Sequence, residues 1–283
     1  MKLQILAAST LLAVATAAYA DDFSRTLSVS SQADVYVSTG AGDIRIHPSN
    51  DNQLHVTGHV HAGWNAFGDV KAREQHIIDN PPIVQNGNEI RIGETNDRSL
   101  LNNISIDYDL SVPSSVALNL HSGSGDVEIT NVGRYLSAAT GSGNIRAHGI
   151  HGSSELQTGS GDVELQQDAA GDVKAKTGSG TIRIHEFNGG LNLRTGSGDI
   201  EANGHLTNGS TLMTGSGSVR LHLDSDAHFN LQAATGSGDI RVKFPGAPKQ
   251  DDNSRHHLTA SINGGGASLE VHTGSGDIEV APR

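Results

Sequence analysis

Apolar residues recur at every second position in short runs through the middle of the chain: Val127 and Ile129, Ile145 and Ala147, Val163 and Leu165, Ile182 and Ile184, Ile200 and Ala202, Val219 and Leu221, Ile240 and Val242. A second set runs ahead of these, with Leu118 and Leu120, Leu156, Val173, Leu191 and Leu193, Leu212 and Leu231. Alternation of period two predicts strands that turn one row of side chains inward. Between the two sets stands one phrase, T-G-S-G-D-[IV] and its variants. Its first residue is Ser122, Thr140, Thr158, Thr177, Thr195, Thr214, Thr235 and Thr273, with an outlying T-G-A-G-D-I at Thr39. Copies begin 18 or 19 residues apart through Thr214, then after 21 and 38. A period this short predicts a solenoid in which each coil buries its apolar face only against its neighbours. Each coil reads as strand, tight turn, strand and loose return. The returns carry Gly133, Gly152, Gly171, Gly190 and Gly209, with Val132, Ile150, Phe187 and Leu206 close before them as plugs.

The outward column between the apolar positions reads Glu128, Arg146, Glu164, Arg183, Glu201, Arg220. Coils stacked as parallel, in-register strands about 4.8 Å apart place every Glu beside an Arg, a favourable cross-strand pairing. Each exposed pair adds only about 0.2–1 kcal/mol, so the ladder is expected to set register more than stability. The turn column, Asp126, Asn144, Asp162, Thr181, Asp199, Ser218, Asp239, is expected to keep carboxylates off adjacent rungs, where they would repel.

Upstream, Ala33–Val37 and Ile44–Ile46 flank the outlying phrase and predict a first coil, Leu54–His61 a strand, and Asp69–Asp79 a helix stopped by Pro81-Pro82. Ile83–Gln85, Asn86-Gly87 and Glu89–Ile92 predict a hairpin, and Ile104–Val112 a strand feeding the repeat. The segment from Phe244 to Arg255 reads as a loop, after which the coils continue through Leu258–Ile262 to the last copy at Thr273. Residues 1–20 read as a secretory signal peptide: Lys2, an apolar run, and Ala18-Tyr19-Ala20 as a cleavage site before Asp21. The predicted organisation is signal peptide 1–20, N-terminal β-rich cap and first coil 21–113, and a repeat region 114–283 of about nine coils in all. The fold class is all-β, a right-handed parallel β-solenoid. No later stretch is long and apolar enough for a transmembrane helix.

The absence of cysteine excludes disulfides, thiolate metal sites and a Cys nucleophile. Formal net charge is −12, and loss of Lys2 with the leader makes the mature chain one unit more negative, which disfavours nucleic acid and anionic membranes as partners.

The T-G-S-G-D-I series, the entry V-P-S-S-V-A-L-N-L-H-S-G-S-G-D-V from Val112 to Val127 and the closing I-N-G-G-G-A-S-L-E-V-H-T-G-S-G-D-I from Ile262 to Ile278 resemble the bacterial putative-adhesin families of β-strand repeat proteins. The resemblance covers most of the mature chain. It implies export and a right-handed β-solenoid, and it carries no catalytic residues.

No catalytic, cofactor-binding or metal residue is assigned. The Gly-Ser-Gly-Asp turns lack the ligand density that Ca²⁺ needs, since Thr181 and Ser218 interrupt the carboxylates. A phosphate-cradling loop would need a following helix and a Lys. Of the 15 histidines, His55, His59 and His61, His148 and His151, and His256 and His257 cluster; His59 and His61 share a strand face but have no evident third ligand. Trp64 and Phe67 could form an aromatic platform, or pack in the cap. An enzyme needs one unique constellation, whereas these acidic and basic columns repeat. The expected role is therefore a non-enzymatic exported cell-envelope protein, adhesin-like or scaffolding, whose repeated faces meet a surface, a glycan or another envelope protein. Its expected place is the periplasm or the cell surface. The alternative is a carbohydrate-binding or polysaccharide-processing protein on a β-helix.

Overall fold

The computed structural model describes residues 22–63, 69–95, 97–247 and 255–283. The signal-peptide reading of 1–20 and the Trp64–Phe67 platform lie outside the described residues. Along the N-terminal third run β1 (Asp22–Ser28), β2 (Asp34–Thr39), β3 (Ile44–Pro48), β4 (Gln53–Ala62), α1 (Asp69–Asp79), β5 (Ile83–Asn86), β6 (Glu89–Ile92), a 3₁₀ turn (Arg98–Leu101) and β7 (Ile104–Val112). The repeat then gives β8 (Ala117–Ser122), β9 (Val127–Thr130), β10 (Tyr135–Thr140), β11 (Ile145–Ile150), β12 (Ser153–Thr158), β13 (Val163–Gln167), β14 (Val173–Ser179), β15 (Ile182–Gly189), β16 (Leu191–Ser197), β17 (Ile200–Leu206), β18 (Ser210–Ser216) and β19 (Val219–Leu223). Last come β20 (Phe229–Thr235), β21 (Ile240–Val242), β22 (His257–Ile262), β23 (Ala267–Ser275) and β24 (Ile278–Pro282).

Each coil gives one strand to each of two 12-stranded sheets. Sheet A runs β1-β4-β7-β3-β9-β11-β13-β15-β17-β19-β24-β21, and sheet B runs β22-β20-β23-β18-β16-β14-β12-β10-β8-β2-β6-β5. The paired rows of Val, Ile and Leu meet between the sheets as one continuous core, closed at the returns by buried Val132, Ile150, Phe187 and Leu206. The helix, the 83–92 hairpin and the strand into the repeat stand where the residue pattern predicts them. Antiparallel strands extend both sheets at the N-terminal end, β4 and β1 beyond β7 and β5 beyond β6, and sheet B at the other, β22 beyond β20, while β21 is the last strand of sheet A. Such strands shield the apolar end rung of a solenoid.

Coil order departs from sequence order at both ends. The coil β2–β3 lies between β6–β7 and β8–β9, while the last coil, β23–β24, is inserted between β18–β19 and β20–β21. The strand from His257 to Ile262 is not another coil, as the residue spacing suggested; it pairs antiparallel to β20 as a cap. The outward charges explain the interleaving. In spatial order the column reads Asp109, Arg45, Glu128, Arg146, Glu164, Arg183, Glu201, Arg220, Glu279, Arg241, opposite signs at every step. Stacking in sequence order would have set Asp109 against Glu128 and Arg220 against Arg241. Each like-charged contact is destabilising.

Glu279 is therefore the residue that most tightly specifies the C-terminal order. Glu279→Arg sets an arginine between Arg220 and Arg241 and is expected to lower stability by about 1–2 kcal/mol, read as a fall in melting midpoint by circular dichroism. Adding Arg241→Glu is expected to recover part of the loss. An unchanged midpoint in Glu279→Arg would show that the charge column does not order the coils.

Candidate functional site

The repeated corner accounts for the leading hydroxyl, the second glycine and the acidic letter of its phrase. The leading hydroxyl is buried in each copy. Thr158 Oγ1 donates to the carbonyl of Gly143 one rung away at 2.7 Å and accepts the N–H of Gly161 at 3.1 Å. Thr140 does the same with Gly125 and Gly143, and Ser122 with Gly42 and Gly125. A Cβ on Gly161 would overlap the carbonyl oxygen of Gly143, and one on Gly143 that of Gly125. Neither residue has positive φ. Stacking distance alone requires glycine at these two positions, while the equivalent Gly198, Gly217, Gly238 and Gly276 also have positive φ, between 138° and 151°, in line with the reversal role that the sequence suggests. The acidic letter also works between rungs: Oδ1 of Asp126 accepts the N–H of Asn144 at 2.8 Å, Oδ1 of Asn144 that of Asp162 at 2.9 Å, and Oδ1 of Asp162 that of Thr181 at 2.8 Å.

The expectation that neutral residues separate the turn carboxylates fails at the ends. Asp107, Asp43 and Asp126 form successive rungs, as do Asp277 and Asp239, because every coil at these ends carries Asp at its turn. Two contacts offset the repulsion. The carboxylates of Asp107, Asp43, Asp126 and Asp277 each accept a backbone N–H from the next rung, and the charge-column arginines bend to the turn, Arg45 to Asp43 at 2.7 Å and Arg241 to Asp239 and Asp277 at 2.8 and 2.9 Å. These hydrogen bonds hold the Asp277 carboxyl below its ordinary value, the N–H of Asp239 contributing most and Arg241 next. At Asp126 partial desolvation works against ionisation, but the N–H of Asn144 and the side chain of Arg146 outweigh it, and the net shift is downward.

The histidines disperse. His59 Nδ1 lies 2.8 Å from Asp22 and His61 Nε2 3.2 Å from Asp107, so the two that share a face each take a separate carboxylate. His55 takes Asp51 at 3.1 Å. Among the described residues no three ligating side chains gather as a metal site.

Sheet B breaks the charge pattern. Lys176 on β14 stands directly opposite Arg194 on β16, both exposed, and Lys174 lies on the same strand face. Arg194 Nε donates to Asn192 Oδ1 at 3.3 Å and Lys174 Nζ to Glu155 at 2.5 Å. Toward the returns the same face holds a groove of about 270 Å³ bordered by Tyr135, Glu155, Asp172, Lys174 and Asn192 over Leu191. Gly190 and Gly209 leave it open. Asp172 is held below its ordinary value by the N–H of Gly190 first and Asn208 next. This patch was legible in Lys174, Lys176 and Arg194, but only with sheet B's register does it become a cluster.

Thr158→Val keeps the shape and leaves the Gly143 carbonyl and the Gly161 N–H without their side-chain partner. It is expected to cost about 1–3 kcal/mol in urea denaturation, while Thr158→Ser, matching Ser122, loses less. The lowered carboxyls predict acid sensitivity. Asp126, Asp172 and Asp277 have folded values below the ordinary 3.8, so the unfolded chain binds more protons as pH falls. Their contribution is complete above about pH 5 and is lost as pH drops through the folded values. Denaturation midpoints should be level from neutral pH to about 5 and fall below about 4. Asp277→Asn should make that fall shallower.

The family model described as Toastrack DUF4097 matches residues 30–281. No curated protein matches the chain. Among solved structures, a putative cell adhesion protein from Clostridium sporogenes is similar at 12% identity over 93% of this chain and 100% of that one, with TM-score 0.26. A putative adhesin from Bacteroides fragilis is 13% identical over 93% and 98%, with TM-score 0.40. A putative lipid binding protein from Parabacteroides distasonis is 14% identical over 92% and 97%, with TM-score 0.36. With its corner phrase stacked rung on rung across the matched span, the chain belongs to the Toastrack DUF4097 family.

Proposed function

We propose that this is an exported cell-envelope protein that acts by contact rather than catalysis, with the Lys176–Arg194 region of sheet B as its contact face for an anionic glycan. The observation that carries this reading is the direct opposition of Lys176 and Arg194 in a protein of formal charge −12 whose sheet A column alternates sign at every rung. Like charges directly opposed destabilise a sheet, so an architectural role does not account for them. An incoming carboxylate or sulfate would relieve the repulsion and accept from the Arg fork. Export is supported by the leader-like residues 1–20, and contact over catalysis by the repetition of the charged columns.

The groove beside the patch favours a second reading, a carbohydrate-processing protein. Tyr135 offers a ring face, and Glu155 and Asp172 offer carboxylates. One experiment separates the two. On a glycan array, the contact reading expects binding of acidic glycans over neutral ones, weakened at least about tenfold in Lys176→Glu/Arg194→Glu and without turnover. Turnover of an acidic polysaccharide that disappears in Asp172→Asn supports the second reading. Binding indifferent to the charge-reversal pair ends the first.

A further inference from the structure

Sheet B carries an outward row unlike the charge column of sheet A, at the position just before the corner hydroxyl. From the N-terminal side it runs Ser38, His121, Ala139, Gln157 and Lys176 on β2, β8, β10, β12 and β14, each directly opposite the next. It continues in register through Arg194, Met213, His272, Ala234 and His257 on β16, β18, β23, β20 and β22. None of these residues is buried. The row passes from Ser38 to His257 without a carboxylate, in a chain that holds 31 Asp and Glu.

Beyond Lys176 the row has a period of its own. Arg194, His272 and His257 are separated by Met213 and Ala234, so a basic side chain stands on every second rung with an apolar one between. Two strand spacings amount to about 9.6 Å, close to the length of two sugar residues in an extended chain. No rung of this row attracts its neighbour, and Lys176 and Arg194 repel, so the row does not serve register as the sheet A column does.

The histidines make the row sensitive to acid. His272 Nε2 lies 2.9 Å from the carboxylate of Glu270 on its own strand. Its neighbours are Thr211 and Met213 on β18 and Gln232 and Ala234 on β20, none of them titratable. His257 stands opposite Ala234, with Thr259 next on its strand face and Arg255 and His256 before it in the chain. Histidine gains charge as pH falls through the mildly acidic range. Acid thus turns the His272–Glu270 pair from net negative to neutral and adds a cation at His257.

We infer that this row is a track for a linear acidic polysaccharide lying along the solenoid axis with an acid group on every second sugar. Lys176 and Arg194 hold the chain at neutral pH, and His272 and His257 lengthen the grip once protonated. The inference rests on the contact reading of the Lys176–Arg194 face, to which it adds the direction of the glycan, its repeat and its dependence on pH. From Lys176 to His257 the track spans five strand spacings, about 24 Å, so a short oligosaccharide covers only part of it.

Hyaluronan, in which an acidic sugar alternates with an uncharged one, supplies the probe. Its tetrasaccharide and decasaccharide are titrated calorimetrically into the full chain at about pH 7.5 and about pH 5.5, on either side of the histidine transition. The sugar carboxylates stay ionised at both. The decasaccharide should bind at least about tenfold tighter than the tetrasaccharide at the lower pH, and at least about fivefold tighter there than at the higher. In His272→Gln/His257→Gln, shown to be folded by circular dichroism, that gain on acidification should vanish. Equal affinity of the two lengths, or a gain retained in the double variant, would overturn the track; the contact reading would still stand if Lys176→Glu/Arg194→Glu abolished binding. No binding of either oligosaccharide at either pH also ends the track, while the glycan array decides the contact reading separately.

Discussion

The whole molecule depends on one close approach, the carbonyl of a corner glycine seated against the equivalent glycine of the next coil. At strand spacing of about 4.8 Å there is no room for a Cβ at that point, and only glycine lets identical corners superpose. The buried Thr or Ser beside it ties the two rungs by donating to that glycine carbonyl, and the Asp or Asn beyond it takes the N–H that the next rung presents. Polar groups that would be orphaned inside a sharp bend are satisfied between coils instead of within one. In-register stacking of the core, the outward charge column and the turn carboxylates all follow from this contact.

The interleaved coils show electrostatics deciding between arrangements that packing leaves nearly equal. Every coil offers the same apolar rows and the same corner, so hydrophobic burial barely distinguishes β20–β21 from β23–β24 as the neighbour of β18–β19. Exposed ion pairs contribute little to absolute stability. Where the competing stackings bury the same surface, one like-charged contact avoided at each end, Asp109 with Glu128 and Arg220 with Arg241, at about 0.2–1 kcal/mol each, is enough to bias the choice.

Much of this was legible in the residues. The apolar rows, the pairing of Arg146 with Glu128 and Glu164, the return plugs, α1 and the 83–92 hairpin all follow from periodicity and turn chemistry. The coil order did not, although a signal was present: Arg220 and Arg241 are consecutive in the column as the chain is read, which breaks the alternation and marks a sequence neighbour that is not a spatial one. The functional features were the least visible. Lys176 and Arg194 become opposed only through the register of sheet B.

The alternating column also shapes how the protein looks from solution. Charges of opposite sign at strand spacing form a grating whose potential cancels laterally, so that it fades within a few ångströms of the surface, before ionic screening at about 8–10 Å has any part. Sheet A is therefore nearly field-free to an approaching molecule, despite being densely ionised. The places where the alternation lapses are what a distant polymer would sense first, and they would orient it before any contact is made.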